Sequence, residues 1–507
     1  MTSNKIIPLE EMADRCRELK GQSQRVVLCH GTFDLMHAGH IRHLQRARQE
    51  GDVLMVTVTG DAYVNKGPGR PVFSEQLRAE NLAALACVDY VAINSSATAI
   101  EALHTIQPSI YAKGSDYRSH TDDVTGNIAR EQAAAEAHGG QVFYTDEITF
   151  SSSSLLNEHF GVFPPETREY LKTFRAQWSE KDVHRMIQSL AGLRVLVVGD
   201  AIIDQYHYTA PLGQTGKGNI LAVRYESEEQ FAGGAIAVAN HLAGFSNQVT
   251  LVTGLGTIDS HEEFIRSKLQ PNVTPEFFYM EGAPTVTKRR FVDADLAKYF
   301  EVYFYREDPV LGEAEHKVCD WLNRHITDYD VIVVPDFGNG FISTAMIEIL
   351  CDRAKYLAVN TQVNSGNRGF HVIHRYARAD FVSLNEPEVR LAAHNRHDTL
   401  ESVATRVGDS VHAKNFAVTR GTKGVIMLDR PKGMVHTVPA LSTKVVDRIG
   451  AGDAFLSLAG LCLGGGLPSE VAAFVGSAAA ALDVQIVCNR EPVSPTGLSK
   501  YITTLLK

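Results

Sequence analysis

Short apolar runs, each followed by polar or helically spaced positions, organise this chain. Val26-Val27-Leu28 is continuous and apolar, and Ile41, Leu44 and Ala47 then recur at helical spacing. The run predicts a buried parallel strand, and the spacing predicts a helix with one apolar face. Val195-Leu196-Val197-Val198 is a second such run, far along the chain. Between them, Phe163-Pro164-Pro165-Glu166 reads as a helix start, and Leu171, Phe174 and Trp178 share one helical face. Residues 158–190 therefore predict an ordered helical connector, since a flexible linker would carry serine/glycine runs. The alternating, aromatic-rich stretches from Ile220 to Tyr225 and from Ala297 to Arg306 predict strands that leave the main sheet.

Two glycine turns carry candidate chemistry. After the first strand comes His30-Gly31-Thr32-Phe33-Asp34-Leu35-Met36-His37-Ala38-Gly39-His40. A strand end, a glycine turn and histidines at a helix start suit a polyphosphate, because free amides and the positive helix end face the anion. His37 and His40 can add hydrogen bonds as negative charge builds up in a transition state. Near the other end, Val445-Val446 predicts a strand end. It leads through Asp447-Arg448-Ile449 into Gly450-Ala451-Gly452-Asp453, a turn and helix start. Small residues let amides approach a transferring phosphoryl group, and Asp453 is placed to take a proton from an attacking hydroxyl.

The first segment resembles the cytidylyltransferase-like branch of the nucleotidylyltransferases, over residues 22–157. Lys66, Gly69-Arg70-Pro71-Val72, Arg78, Lys113-Gly114-Ser115-Asp116-Tyr117 and the run Ser151 to Ser154 follow in the order of that family. The resemblance implies that Gly31, Thr32, Phe33, Asp34, Lys113, Ser152 and Ser153 bind nucleotide. It implies catalytic roles for His37, His40 and Lys66. The arginine that often precedes the serine motif is absent.

The second segment resembles the ribokinase-like (PfkB) sugar kinases. Gly199-Asp200 with Asp204, Gly233-Gly234 with Asn240, Asn385-Glu386-Pro387-Glu388, and Thr419-Arg420-Gly421 with Lys423-Gly424 accompany the Gly450–Asp453 turn. The resemblance implies Asp453 as base. Nucleotide would be held by Asn385, Gly421, Lys423, Gly424, Gly450, Ala451 and Gly452. Sugar would be held by Asp204, Gly233, Gly234, Asn240, Arg290 and Asp447, and Glu388 would organise Mg²⁺.

Both halves together resemble the bifunctional enzymes of ADP-heptose synthesis, with the domain order reversed. The implied fold is α/β: a Rossmann-like nucleotidylyltransferase domain (1–157), the connector (158–190), and a ribokinase-like domain with a small β-lid (191–507). The implied work is ATP-dependent phosphorylation of a sugar or sugar phosphate, heptose 7-phosphate in those enzymes, at C1. Nucleotidyl transfer from ATP or CTP would follow. Thr32 is common in glycerol-phosphate cytidylyltransferases, which keeps a polyol-phosphate cytidylyltransferase open as an alternative. Asn339 and Gln362 stand where many relatives carry lysines. They leave open a different kinase substrate, a weak kinase, or a non-catalytic sensing or dimerising module. Family lids pair between subunits, which implies a homodimer.

Composition narrows the classes. A chain of 507 residues is too long for one core. The formal charge of −10 argues against broad nucleic-acid binding. No apolar stretch is long enough to predict a membrane span, and the first residues lack an apolar signal core. Seven scattered cysteines without CxxC spacing read as small buried hydrophobes in a reducing cytoplasm.

Overall fold

The computed structural model describes residues 5–64, 70–114, 127–145, 163–216, 218–306 and 312–507. Lys66, Gly69, Ser115, Asp116, Tyr117 and Ser151 to Ser154, including Ser152 and Ser153, lie outside the described residues. The chain divides into two compact units: Met1–Pro165 with Ser499–Lys507, and Glu166–Leu498.

The first unit is built on five parallel strands: β1 (Val26–Gly31), β2 (Val53–Thr59), β3 (Tyr90–Asn94), β4 (Ile110–Gly114) and β5 (Gln141–Thr145). Their order is β3-β2-β1-β4-β5, a doubly wound arrangement with β1 at its centre. Helices Ala38–Arg48 and Glu75–Ala83 contribute to the apolar core on one face, with Leu44, Ala47, Ala79 and Leu82 buried against Val27 and Val56. Met12, Cys16, Ala102 and Leu103 contribute to the core on the other. Because β1 is covered on both sides, it reads as a continuous apolar run.

In the second unit the strands in chain order are β6 (Arg194–Val198), β7 (Ala201–Gln214), β8 (Leu221–Gly234), β9 (Gln248–Ile258), β10 (Val273–Pro284), β11 (Val286–Val292) and β12 (Lys298–Phe304). They continue as β13 (Val331–Asp336), β14 (Leu357–Thr361), β15 (Phe381–Asn385), β16 (Asn415–Thr419), β17 (Val425–Asp429) and β18 (Met434–Val438). Nine of them form one sheet in the order β10-β9-β6-β13-β14-β15-β16-β17-β18, antiparallel only at the β16–β17–β18 end. The stretches expected to leave the main sheet do so. They belong to β8 and β12, which join β7 and β11 in a separate four-stranded sheet ordered β12-β11-β7-β8.

Alternation gives this small sheet two different faces. Asp204, Tyr206, Lys288, Arg290, Glu301 and Tyr303 occupy one, by register. The other carries a row of rings: Phe300–Phe291 at 4.5 Å, Phe291–His207 at 5.1 Å and His207–Tyr225 at 6.0 Å. Phe300, Val302 and Phe304 on that face are exposed.

Helices Pro165–Gln177 and Glu180–Gln188 precede β6. Phe174 stacks on Phe474 at 4.2 Å, and Trp178 Nε1 donates to Glu470 at 3.1 Å, so the apolar face of residues 171–178 is covered within the second unit. Val445-Val446 is not a strand end as the sequence suggested. Residues 439–449 form no regular element, and Val446 N–H instead donates to Val484 O at 2.7 Å. Among the described residues no helix is long and apolar enough to cross a membrane. All seven cysteines are free thiols; Cys16, Cys29, Cys462 and Cys488 are buried, while Cys87, Cys319 and Cys351 are half-buried.

Candidate active sites

In the first unit, β1 ends at Gly31 and the helix Ala38–Arg48 begins after His37, which caps it by accepting from Gly39 N–H at 3.1 Å. Phe33 takes a left-handed φ of 49°, which turns the chain sharply between strand and helix. The rings of His37 and His40 stack at 3.9 Å, and Phe33 meets His40 edge-on at 5.5 Å. The two histidines thus present one paired surface at a helix N-terminus. Burial lowers the pKa of His37, so the neutral ring is favoured near neutrality.

The loop holding these residues is braced from behind. Asp34 Oδ1 accepts from Val72 N–H at 2.7 Å and Phe73 N–H at 3.0 Å, while Arg70 lies 3.7 Å from its other oxygen. Arg78 is fully buried and donates to Thr32 O at 2.6 Å, Thr59 O at 2.8 Å, Phe73 O at 2.9 Å and Asp61 at 2.5 Å. Asp34 therefore shapes the loop that carries the two histidines. Lys113, also expected at nucleotide, pairs with Glu131 at 2.7 Å; Glu131 in turn accepts from Tyr111 OH at 2.9 Å. His43, next along the same helix, meets Thr145 Oγ1 at 2.8 Å, and burial pushes its pKa down to about 4.

In the second unit, the carboxyl ends of β6, β13, β14, β15 and β16 all point to one edge of the nine-stranded sheet, where open α/β sheets hold ligands. The helix Ala451–Gly464 starts there behind Gly450, whose φ of +100° only glycine adopts without strain. Ala451 and Gly452 are its first two residues, so their amides are among those a helix leaves unpaired. A side chain at Gly452 would meet nothing within 4 Å, so the approach to these amides is open. Asp453 sits in this first turn. Burial, then the charge of Asp204, raises its pKa to about 7, while Lys288 opposes the shift.

The inner face of the small sheet supplies the remaining groups. Arg290 forms a very close pair with Asp204 and donates to Glu301 at 3.1 Å; Tyr303 OH reaches Glu301 at 2.6 Å. Lys288 is buried with its ammonium 5.6 Å from the rings of both Tyr303 and Phe337, and desolvation depresses its pKa. Gly233 must be glycine because a Cβ there would strike the Asp204 carboxylate, and Gly234 has a φ of +61°. Asp204, Gly233, Gly234, Arg290 and Asp453 are thus brought together. Lys288 joins them; it lies in Pro284-Thr285-Val286-Thr287-Lys288-Arg289-Arg290, a stretch that resembles the sugar-contacting strand of the ADP-heptose enzymes.

Other expected residues sit differently. Asn240 lies well past the glycine pair, and its amide is spent on backbone: it donates to Lys268 O and accepts from Gln270 N–H, both at 3.0 Å. In this way it braces the loop that follows Lys268. The carboxylate of Asp447 accepts from Tyr206 OH at 2.6 Å, Arg448 N–H at 2.7 Å, and Ile449 and Cys488 N–H at 3.2 Å. It anchors the turn. Asn385 and Glu388 form a reciprocal capping box on the helix Glu386–Ala392. Glu388 also accepts from Val363 N–H at 3.2 Å, and burial pushes its pKa up to about 7. Gly421 (φ +57°) and Gly424 (φ +76°) bracket a tight turn with Lys423 exposed between them. A side chain at Gly424 would strike Val438 O and Pro439.

Asp336, the last residue of β13, and Asp200, just after β6, form a buried acidic pair. Asp336 accepts from Tyr376 OH at 2.9 Å and Arg375 at 3.1 Å, with His371 at 3.1 Å. Asp200, whose pKa burial and Asp336 raise to about 6, accepts from Phe337 N–H and Phe341 N–H. Among the described residues, no three His, Cys, Asp or Glu side chains converge as a metal cage. Glu388 nevertheless keeps free lone pairs on both oxygens, a donor set suited to hydrated Mg²⁺, which prefers one or two carboxylates plus phosphates and water.

One unit is a doubly wound parallel sheet with paired histidines at a helix start, and the other sets an open glycine turn and an aspartate of raised pKa beside a small separate sheet. The profile of the pfkB carbohydrate kinases matches residues 193–494, and the chain belongs to that family. The cytidylyltransferase-like profile matches residues 28–158. The chain is 38% identical over 157 residues to the bifunctional protein HldE of Syntrophotalea carbinolica, covering 31% of each. It is 26% identical over 308 residues to HldE of Trichlorobacter lovleyi, covering 60% of this chain and 62% of that protein. It spans less than two thirds of either relative in each match. Among solved structures, phosphofructokinase-2 of Escherichia coli in complex with substrates and products aligns with a TM-score of 0.50 at 15% identity. That alignment covers 62% of this chain and all of that one, and it places the second unit in the ribokinase-like fold.

Proposed function

We propose that this chain makes a nucleotide-activated sugar in two steps. The second unit phosphorylates a sugar or sugar phosphate, with heptose 7-phosphate at C1 as first candidate. The first unit then transfers a nucleotidyl group from ATP or CTP to the sugar 1-phosphate. The observation that carries this reading is the convergence of Asp453 on the Gly450–Gly452 turn with the Asp204–Arg290 pair and Lys288 of the small sheet.

Asp453 takes the proton of the attacking hydroxyl, the new oxygen–phosphorus bond forms at the γ-phosphorus, and ADP leaves. The amides of Ala451 and Gly452 hold the moving phosphoryl. Asp204 and Arg290 orient the sugar, and Lys288 offsets negative charge beside Asp453. Mg²⁺ held with the help of Glu388 would neutralise the ATP phosphates. Asn385, Gly421, Lys423 and Gly424 line the nucleotide side. In the first unit, His37 and His40 bind phosphates and stabilise the transition state while the sugar phosphate attacks the α-phosphorus and pyrophosphate leaves. Lys66, Lys113 and the Ser152-Ser153 run complete that site.

Domains at 1–157 and 191–507, joined through 158–190, support these roles. A homodimer formed through the exposed outer face of the small sheet, in the cytoplasm, completes the proposal. The relatives named bifunctional protein HldE and both family matches support the two enzymatic steps.

Mass spectrometry of one incubation tests it, with protein, Mg²⁺, ATP, CTP and a panel of sugars and sugar phosphates. An ADP- or CDP-sugar built from an unactivated sugar phosphate is expected. Product appearing only from a ready-made 1-phosphate would leave the second unit without its kinase role. Asn339 and Gln362, which replace lysines, favour that second reading.

A further inference from the structure

Behind the Gly450 turn lies a group of buried polar atoms that the reaction above does not use. His241 Nε2, both carboxylate oxygens of Asp483, and Asn489 Oδ1 are buried with no hydrogen-bond partner among the described residues. His241 and Asp483 are each only 1% exposed. Native interiors rarely leave such atoms unsatisfied, and water is their usual missing partner. A Cβ built on Gly450 would stand 2.6 Å from Asn489 Oδ1 and 2.7 Å from Asp483 Oδ2, so both oxygens rest against the back of the turn.

The chemistry of the occupant follows from His241. Its Nδ1 accepts from Val493 N–H at 3.0 Å, and burial keeps the ring neutral by pushing its pKa down to about 4. A neutral imidazole whose Nδ1 accepts must carry its proton on Nε2. That nitrogen lies 3.8 Å from Asp483 Oδ1, too far for a direct hydrogen bond. Whatever joins these groups must accept from Nε2–H and donate to Asn489 Oδ1, while Asp483, whose pKa burial and the charges of Asp453 and Asp447 push well above the usual carboxylate range, meets it as a neutral acid. A cation cannot accept from Nε2–H, and a simple anion cannot donate to Asn489 Oδ1. A water molecule does both. His241 and Asn489 also line a cavity of about 280 Å³ whose wall includes Gln230, Lys268 and Arg490, which gives water a way in.

We propose that one water molecule held by His241, Asp483 and Asn489 braces the Gly450 turn, making Asp483 a positioning residue for phosphoryl transfer at Asp453. The functional half of this inference rests on the kinase reading; the bound water does not.

The test uses the full chain. A high-resolution crystal structure is expected to show one water about 2.8 Å from His241 Nε2 and from Asp483 and Asn489 oxygens. A closed His241–Asp483 contact, or an ion with an all-oxygen shell, overturns the proposal. In kinetics, Asp483→Leu is expected to lower kinase kcat about tenfold while the KM values for sugar and ATP move less than about twofold. Asp483→Asn, which still binds water, should retain most of the rate. If Leu and Asn behave alike, or KM carries the loss, the positioning role fails. Thermal unfolding of the second unit, followed on the same samples, reports folding. Should Asp483→Leu not fold, His241→Leu against His241→Gln repeats the comparison from the donor side. Wild-type protein that phosphorylates no sugar defeats the kinase reading, and the electron density still decides the water.

Discussion

Asp453 is a weak acid for an aspartate because its surroundings penalise the charge it must carry to work. A base of this kind acts deprotonated, so kinase kcat/KM should climb through an acid limb centred near its pKa of about 7. Lys288 pulls that pKa down, and Lys288→Met should therefore move the limb to higher pH, read from a pH–rate profile. Asp453→Asn should cost the kinase roughly 10²-fold or more while nucleotidyl transfer persists, and His40→Ala should do the reverse. Comparable rates from both variants in both assays would remove the assignment. The same aspartate bears on stability. An acid whose folded pKa is raised contributes less stability as pH rises from its unfolded value to its folded one. Thermal unfolding above neutrality should thus find Asp453→Asn more stable than the parent. Asp453 was legible in the sequence because glycine spacing marks the turn. Lys288 was legible only as part of the stretch Pro284 to Arg290, because its side of β11 depends on which face is covered. The backbone hydrogen bonds of Asn240 were not legible, because they join it to a loop beyond the next strand and helix.

At the level of elements, strand runs and helix faces were readable because burial on one or two sides leaves a periodic trace. The stretch before Gly450 misled, since Val445-Val446 is apolar yet pairs through Val484 O instead of joining a sheet. The braces were illegible for a different reason. Arg78 joins Thr32, Thr59, Phe73 and Asp61, and nothing local in the sequence announces partners so far apart. Arg78→Met would leave three carbonyls and the partly exposed Asp61 carboxylate without their donor, a loss of about 1–3 kcal/mol for each buried group left unsatisfied. Chemical denaturation should show the first unit weakened by that order, with nucleotidyl transfer lost and kinase activity retained. An unchanged midpoint would mean the guanidinium is replaceable by water.

For the whole molecule, the small sheet carries the charged groups Asp204, Lys288, Arg290 and Glu301 on one face and an apolar row on the other. Phe300 is 48% and Phe304 40% exposed, unusual for neighbouring aromatics on an edge strand. Replacing both by glutamate should convert a dimer into a monomer in sedimentation velocity. A monomeric parent protein would withdraw the assembly. Domain order and two chemistries were plain from motifs alone, whereas the sugar is not, because pocket shape leaves no periodic signature.

The contact between Trp178 and Glu470 has an optical consequence. The chain has two tryptophans, Trp178 and Trp321, and both fall within residues 166–498. Indole fluorescence is therefore a private signal of the second unit: its melting will be seen in that light, and the first unit will unfold in the dark.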